Sequence, residues 1–429
     1  MIDAFNHTMN FWEENGSMKN FRGPRIFLTL AIALALLVQG MNSASARTAR
    51  KARLSGTVTI GQITSLTGPF SVYGVMQSQG FQVGLRYATH STMKVDGAKI
   101  VVKQYSDVAG AASLPDPATA VTQATNAIEN DHVQILQCCA SSASALAVAG
   151  VAAKYQRILM VAPAAVNDLS GVNRYTFRTS REDSQDAITG ASYAYHKFGH
   201  TYMTLAQNYS FGQGQVASWK AQLDRLGATD LQDVFFPLTA TDFTPYIQQI
   251  LAKKPDWLFI PCAGAQCAAM FKQLGDQGLL DQVKVMTGLP NIAAFPTFGA
   301  AASKIGFISV YYHTFPKTAA NNYLVKQIQQ RYHRPADIFD QDTFAAAQQI
   351  VAALQKTHST NASKLIHALE GQTVQGPKGA YTIRKQDHVC LQPMYIAKLV
   401  GSGASAKPVL LATKSPKATA PPLQAHFGS

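Results

Sequence analysis

Three segments of the sequence concentrate small and hydroxyl-bearing residues directly after predicted strands: 64–74, 138–144 and 162–167. Because the carboxyl ends of parallel strands meet at one edge of a sheet, we expect these segments to surround one site. Small residues allow a ligand to approach the backbone, and the free N–H groups at a helix start favour an anionic group. Ser141 or Ser142 is expected to cap the following helix in either case. The chemistry that this pattern predicts is binding.

Motifs for catalysis and for cofactor binding are absent from the sequence. The glycines of the segment 212–214 are followed by no third glycine at the spacing of a dinucleotide fingerprint. There is no G-x-x-x-x-G-K-[ST], no G-x-S-x-G and no H-E-x-x-H. The histidines are scattered, with no nucleophile–base pair to name. We therefore expect a protein that is not an enzyme and that binds no metal and no cofactor.

The five cysteines show no spacing typical of a zinc site. Cys262 and Cys267 lie at a predicted strand-to-helix junction, and in an oxidising compartment they are able to form a disulfide. The alternative is that they are small buried residues that pack at strand ends. Cys138 and Cys139 are adjacent, and we expect no bridge between them. The odd total, which includes Cys390, leaves at least one thiol unpaired or intermolecular.

Short apolar strands alternate with amphipathic helices along the chain. The predicted strands are 58–63, 100–105, 133–138 and 158–161 in a first series, 202–206, 234–237, 257–261 and 283–287 in a second, and 307–312, 380–384 and 394–400 towards the end. A typical helix, 118–129, follows Asp116 and Pro117, which are suited to the N-cap and the first turn. The alternation predicts α/β architecture with two Rossmann-like lobes, each built on a parallel sheet.

The amino terminus has the three parts of a secretory signal. Lys19, Arg22 and Arg25 precede the apolar run 26–38, and the small residues 44–46 follow it. The run is shorter than the roughly 20 residues of a membrane-spanning helix, which disfavours the alternative of an uncleaved anchor. We expect residues 1–46 to be an extension and a signal peptide, cleaved near Ala46, with Met1 or Met18 as the start. The predicted location is the periplasm.

The net charge of +13 is spread along the chain. Nucleic-acid binding requires a dense basic stripe or a known motif, and the sequence has neither. We expect no nucleic-acid partner and a monomeric protein. The 28 residues that follow Gly401, 402–429, are rich in Ala, Pro, Lys and Ser, and we expect them to be disordered.

Six segments in order resemble the type I periplasmic binding proteins of the branched-chain amino acid (Leu/Ile/Val) transporter family. The first is Ser65 to Gly74, which has the pattern (S/T)-L-T-G-P-x-x-x-Y-G. The others are 139–144, 163–167, 175–180, 208–214 and 376–379. The resemblance covers essentially the whole chain after the signal. It implies a small-molecule ligand bound between two lobes and delivered to the permease subunits of an ABC transporter.

The resemblance also implies the domain organisation and the binding residues. The lobes are expected at 54–177 plus 309–373 and at 178–308 plus 374–401, with hinge crossovers near Phe177, Ile308 and Thr373. Ligand contacts are expected from Tyr73, Ala140, Ser141, Ser142, Ala164, Ala165, Val166, Phe211, Ala263, Gln266 and Phe339, with Asp342 as the alternative to Phe339.

Several of these positions depart from the family pattern. Ala140 and Val166 replace the hydroxyls that hold an α-carboxylate, and Ala263 replaces an aromatic residue. The acidic partner of the α-ammonium would fall within 289–291, which is Leu-Pro-Asn. Because a buried ammonium without an anionic partner is costly, we expect a ligand that is not a standard α-amino acid: a carboxylate, an aromatic acid or an amide.

Three alternatives stay open at this point. If the correspondence with the family is shifted by one residue, Ser141 takes the place of Ala140, and a branched-chain amino acid is a candidate ligand again. The same fold also serves ligand-sensing receptors, whose partner is another protein and not a permease. The third alternative, an enzyme, would predict turnover of whatever binds.

Overall fold

The computed structural model describes residues 53–288, 291–424 and 427. The predicted signal peptide and its cleavage site near Ala46 lie outside these residues. The strands are β1 Thr57–Thr64, β2 Lys94–Val95, β3 Ala98–Ser106, β4 Ile135–Cys138, β5 Ile158–Val161, β6 Thr176–Arg178, β7 Thr201–Gln207, β8 Thr229–Phe236, β9 Trp257–Pro261, β10 Lys284–Gly288, β11 Ile305–Ser309, β12 Thr373–Gly376, β13 Gly379–Ile383, β14 Cys390–Leu391, β15 Met394–Val400 and β16 Lys407–Lys414.

The α-helices are α1 Ser71–Ala88, α2 Pro117–Glu129, α3 Ser142–Lys154, α4 Asp183–Phe198, α5 Ser210–Leu226, α6 Thr244–Lys253, α7 Gln266–Asp276, α8 Leu279–Gln282, α9 Ala319–Tyr332, α10 Asp340–Thr357 and α11 Ala362–Leu369. A long 3₁₀ segment, Ile292–Lys304, precedes β11. Within the described part of the chain, no helix has the length and apolar character needed to cross a membrane.

The first lobe is built on a six-stranded sheet in the order β2-β3-β1-β4-β5-β6. All of its pairings are parallel except that of the short edge strand β2. The strands are rich in Val, Ile and Leu because helices cover both faces of the sheet. Two buried clusters result, one with Ile60 and Ile350 and the other with Ile63 and Val148.

The second lobe is built on a seven-stranded sheet in the order β16-β15-β11-β10-β9-β7-β8. The strands from β7 to β11 run parallel, and β15 and β16 add antiparallel pairs at one edge. The core on one face includes Leu258 and Phe271, and the core on the other includes Trp219 and Trp257. The predicted α/β class with two parallel-sheet lobes is confirmed.

The segment after Gly401 differs from the prediction. We expected disorder from 402 to 429, but Lys407–Lys414 forms β16 and pairs along the whole of β15. The composition of the segment is typical of disorder, whereas the edge of β15 offers unpaired backbone groups to any strand that follows it. The prediction is wrong for this strand.

The third crossover also lies elsewhere than predicted. A small antiparallel sheet, β12-β13-β14, packs mainly on the first lobe, and its last strand also accepts a hydrogen bond from Gln185 of α4. Gln348 donates to the carbonyl of Gln375 (3.1 Å), Gln349 donates to the carbonyl of Tyr381 (3.0 Å), and Ile383 joins the core of the first lobe. The chain therefore returns to the second lobe between β14 and β15, and not near Thr373. The other crossovers follow β6 and β11.

Candidate functional site

A cluster of aromatic side chains lies where the two lobes meet. Phe70 and Tyr73, around the start of α1, and Phe339, just before α10, belong to the first lobe. Tyr209 and Phe211, around the start of α5, belong to the second. Ring centroids are 5.0 Å apart for Tyr73 and Phe339 and 6.4 Å apart for Phe70 and Tyr209. These rings pack against one another and fill the contact between the lobes.

The close packing of α1 and α10 brings the first-lobe rings together. Gly84 of α1 faces the backbone of Phe344, and a Cβ atom there would lie 2.6 Å from its carbonyl oxygen. Because the two helices approach this closely, the residues at their amino ends meet at the cleft. The helix pair therefore fixes the positions of Tyr73 and Phe339.

The structure brings part of the predicted site into one buried cluster and leaves the rest outside it. The predicted members of the cluster are Tyr73, Ala165, Phe211, Ala263 and Phe339, with Ala140 partly buried against them. Phe70 and Tyr209 of the same cluster were not predicted, although both are aromatic residues of loops that follow strands. The role of every one of these residues in ligand binding stays a prediction.

The remaining predicted contacts have other partners. Ser141 caps α3 by accepting a hydrogen bond from the backbone N–H of Ser144 (3.3 Å). The Ser142 hydroxyl accepts hydrogen bonds from the N–H groups of Ala165 and Val166, each at 3.4 Å. Ala164 and Val166 themselves pack in the core of the first lobe. The Gln266 amide donates to the carbonyl of Leu238 (3.1 Å), within the second lobe.

Asp342, the alternative to Phe339, is buried in the first turn of α10. Its backbone carbonyl accepts a hydrogen bond from the hydroxyl of Thr179 (2.9 Å), just after β6. Burial raises the pKa of its carboxyl to about 6, although the positive charge of Lys378 opposes the shift. Of the two alternatives, Phe339 is the one that belongs to the aromatic cluster.

Several hydrogen bonds join the lobes across the cleft. The N–H of Gly264 donates to the Tyr73 hydroxyl (2.9 Å), and the N–H of Ala265 donates to the carbonyl of Pro69 (3.2 Å). The N–H of Ile292 donates to a carboxylate oxygen of Asp337 (3.0 Å). Burial raises the pKa of Tyr73 to about 12, so its hydroxyl stays protonated. The structure is therefore a closed form of the cleft.

Gly264 is required at its position for two reasons. Its φ of +90° lies in a region that residues with a side chain rarely adopt. A Cβ atom at this position would lie 2.7 Å from the ring of Phe70. The residue belongs to the loop 263–266, whose ends, Cys262 and Cys267, are joined by a disulfide. The disulfide therefore closes the loop that provides two of the contacts between the lobes.

The pairing of the other three cysteines was predicted in part. Cys138 and Cys139 are also bonded to each other, so the expectation of no bridge between them is wrong. Their place at the end of β4, where the chain turns into α3, brings the two side chains together. Cys390 is a buried free thiol, which confirms that one cysteine is left unpaired.

A cavity of about 240 Å³ opens from the cleft into the second lobe. Tyr73 and Val72 border it on the first-lobe side, and the disulfide loop, Thr287, Asn291 and Phe298 border it on the second. Among the described residues, no side chain that lines this cavity carries a charge. Of the segment 289–291, Asn291 lines the cavity, whereas Leu289 and Pro290 lie outside the described residues.

A buried ionic network supports the loop after β5. The Arg178 guanidinium donates to the carbonyls of Ala164 (3.0 Å) and Val166 (3.0 Å) and to the hydroxyl of Ser170 (2.9 Å). Its ion pair with Glu182 spans 3.7 Å. Burial lowers the pKa of Arg178 and raises that of Glu182, and the attraction between them opposes both shifts. The sequence shows this network only as a dense run of charged residues between 178 and 186.

Two parallel-sheet lobes, joined by chain crossings and separated by a cleft at the carboxyl ends of their strands, define the class of the type I solute-binding proteins. Residues 57–404 match the periplasmic binding protein family, and the chain belongs to the branched-chain amino acid group of that family. Members of the family bind small molecules and work with ABC transporter permeases. The chain is therefore the substrate-binding component of an ABC transporter.

Relatives and solved structures agree with this assignment. An ABC-type branched-chain amino acid transporter from Rhodopseudomonas palustris CGA009 is 34% identical, with 85% of this chain and 99% of that chain covered and a TM-score of 0.71. The Leu/Ile/Val-binding protein homolog 3 of Brucella melitensis is 24% identical over 76% of this chain and 86% of its own length.

A third similar structure is a solute-binding protein from Rhodopseudomonas palustris BisB5, in complex with 3,4-dihydroxybenzoic acid. It is 22% identical, with 84% of this chain and 97% of that chain covered and a TM-score of 0.76. At this identity the likeness shows the fold alone. These relatives are solute-binding proteins and not enzymes.

Proposed function

We propose that this chain captures a small organic acid or amide in its cleft, and not a standard α-amino acid, and presents it to an ABC permease. The observation that carries the proposal is the uncharged lining of the cavity next to Tyr73, among the residues that the structure describes. An α-ammonium that is buried there would have no carboxylate partner, at a cost of several kcal/mol.

The carboxylates of the nearby hinge have other partners. Asp183 and Asp186 each accept a hydrogen bond from the Gln215 amide (2.7 Å), and Asp186 also forms an ion pair with Arg181 (3.2 Å). One oxygen of Asp183 has no hydrogen-bond partner among the described residues, but neither Asp183 nor Asp186 lines the cavity next to Tyr73. This supports a ligand without such a group.

The first lobe offers a place for an acidic group. The start of α3 brings the hydroxyls of Ser141 and Ser142 to the carboxyl ends of β4 and β5, and each hydroxyl oxygen accepts a backbone N–H, so that its hydrogen is the group that would donate to a ligand. Helix starts favour anions because their first N–H groups lack partners within the helix. A carboxylate here and an uncharged body in the second lobe suit an aromatic or aliphatic acid.

A thermal-shift screen of the mature chain tests the proposal. The panel contains α-amino acids, aromatic acids, short-chain acids and amides. A ligand at 100 times its dissociation constant adds about 2.7 kcal/mol to the free energy of unfolding, which raises the melting temperature by a few degrees. We expect the largest shift from an acid or an amide. A largest shift from leucine or another α-amino acid would contradict the proposal.

We further propose that residues 1–46 direct export and that the mature protein acts in the periplasm as a monomer. Amino-terminal sequencing of the secreted protein tests the cleavage near Ala46, and light scattering tests the oligomeric state. A mature chain that retains the run 26–38, or a stable dimer, would contradict the corresponding part.

A further inference from the structure

The cavity of the second lobe is an open space, whereas the aromatic cluster beside it is filled by packed side chains. One of its walls is the disulfide loop, with Cys262, Cys267 and Ala268, and the rings of Phe271 and Phe298 form another. These two rings meet edge to face, with centroids 4.6 Å apart. An apolar cavity of 150 Å³ is large enough to bind benzene, so a volume of about 240 Å³ accommodates one substituted ring.

The disulfide gives this cavity a fixed wall. It links Cys262, directly after β9, to Cys267 in the first turn of α7, and it thereby closes the four residues 263–266 into a loop. The same loop donates its Gly264 and Ala265 N–H groups to the first lobe. A short loop that is closed at both ends has few conformations to adopt. The cross-link therefore restricts the conformations of the loop that borders the cavity.

Polar groups of the wall are few and uncharged. The Thr287 hydroxyl donates to the carbonyl of Ile260 (2.6 Å), so its proton is already used. The Asn291 side-chain oxygen accepts from the backbone N–H of Ala294 (3.1 Å), which leaves the Asn291 amide nitrogen as a donor on the wall. The cavity is able to accept a ring that carries one hydrogen-bonding substituent, whereas an ammonium finds no anionic partner among the described lining residues.

We propose that this cavity is the subsite for the uncharged, ring-sized end of the ligand, with the Cys262–Cys267 disulfide as a structural part of its wall. The inference rests on the proposed function, because it assigns the second-lobe side of the same cleft. It adds that the charge of the ligand stays on the first-lobe side, and that the disulfide is required for binding.

Phenol and benzylammonium are suitable probes, since both carry one ring and only the second carries a charge. Their binding to the full mature chain is followed by NMR of the labelled alanine methyl groups. We expect phenol to shift the Ala265 and Ala268 signals, and to bind at least about tenfold more tightly than benzylammonium, because a buried ammonium loses its hydration without compensation.

Ala268→Leu fills part of the cavity, and we expect it to weaken phenol binding by about tenfold or more. Ala269→Leu is the matched control, since Ala269 is exposed on the same helix and does not line the cavity. Cys262→Ser/Cys267→Ser should abolish phenol binding while the circular dichroism spectrum is kept. If the double variant does not fold, Ala268→Leu still decides the outcome.

The inference is overturned if phenol binds Ala268→Leu as tightly as the unchanged chain, if it shifts none of these signals, or if benzylammonium binds equally well. Failure of the proposed function gives a different result. In that case phenol occupies the cavity as expected, but every α-amino acid of the screen binds better than the corresponding acid.

Discussion

The hydroxyl of Tyr73 provides a sharp test of where the cleft lies, because its hydrogen bond from Gly264 exists only when the lobes are closed. Tyr73→Phe removes that bond and keeps the ring. A typical intramolecular hydrogen bond contributes about 0.5–1.5 kcal/mol, so ligand affinity should fall by about 2- to 12-fold. The stability of the ligand-free chain should change little, since the ring and its contact with Phe339 are kept.

Tyr73→Ala removes the ring as well as the hydroxyl. Tyr73 is 5% exposed, and the burial of an apolar side chain of this size is worth about 1.5–3 kcal/mol. Together with the lost hydrogen bond, ligand affinity should fall on the order of 100-fold. The assay is titration calorimetry with the solute that gives the largest shift in the thermal screen.

Tyr246→Phe is the matched control for Tyr73→Phe. Tyr246 packs against Phe236 and Phe243 inside the second lobe, away from the cleft. We expect less than about a twofold change in affinity. If Tyr73→Ala binds the solute as tightly as the unchanged chain does, the cleft has been placed wrongly and the reasoning is refuted.

Two further predictions concern buried charges. Burial raises the pKa of Asp337 to about 7, against the hydrogen bond from Ile292 and the nearby Arg334. Below about pH 7 the carboxyl is therefore protonated in the folded chain, whereas in the unfolded chain it ionises near its ordinary pKa. As the pH rises from 4 to 8, the free energy of unfolding should therefore fall by up to about 4 kcal/mol relative to Asp337→Asn. Parallel urea-unfolding curves across this range would contradict that. Arg178→Met leaves the Glu182 carboxylate without its cation, so we expect a loss of about 3–5 kcal/mol by urea unfolding, and a loss below 1 kcal/mol would show that the pair is dispensable.

Features that depend on local sequence were predictable. The strand predicted at 257–261 is observed as Trp257–Pro261, because a short run of apolar residues bounded by polar ones identifies a buried strand. Asp116 caps α2 as expected, accepting the N–H of Thr119 at 2.7 Å, because a carboxylate before a helix satisfies a free donor. The aromatic residues Tyr73 and Phe211 were identified through the family resemblance.

Features that depend on long-range pairing were not predictable. Strand β16 has the composition of a tail and is stabilised by the edge of β15, which itself joins the sheet by pairing with the much earlier strand β11. The third crossover depends on the packing of β12–β14 against α10, which no periodicity shows. The role of Arg178 arises from carbonyl groups that converge on it only in the folded chain. The uncharged cavity likewise depends on the disulfide and on residues from both lobes.

The most direct test of the central claim compares two solutes that differ by one ammonium group. L-Leucine and 4-methylpentanoate share a carboxylate and a side chain, and calorimetry on the mature chain measures the affinity of each. We predict that 4-methylpentanoate binds at least about tenfold more tightly and is recovered unchanged, because the described lining of the cavity next to Tyr73 offers no anionic partner to an ammonium. Tighter binding of L-leucine, or conversion of either compound, would contradict the account.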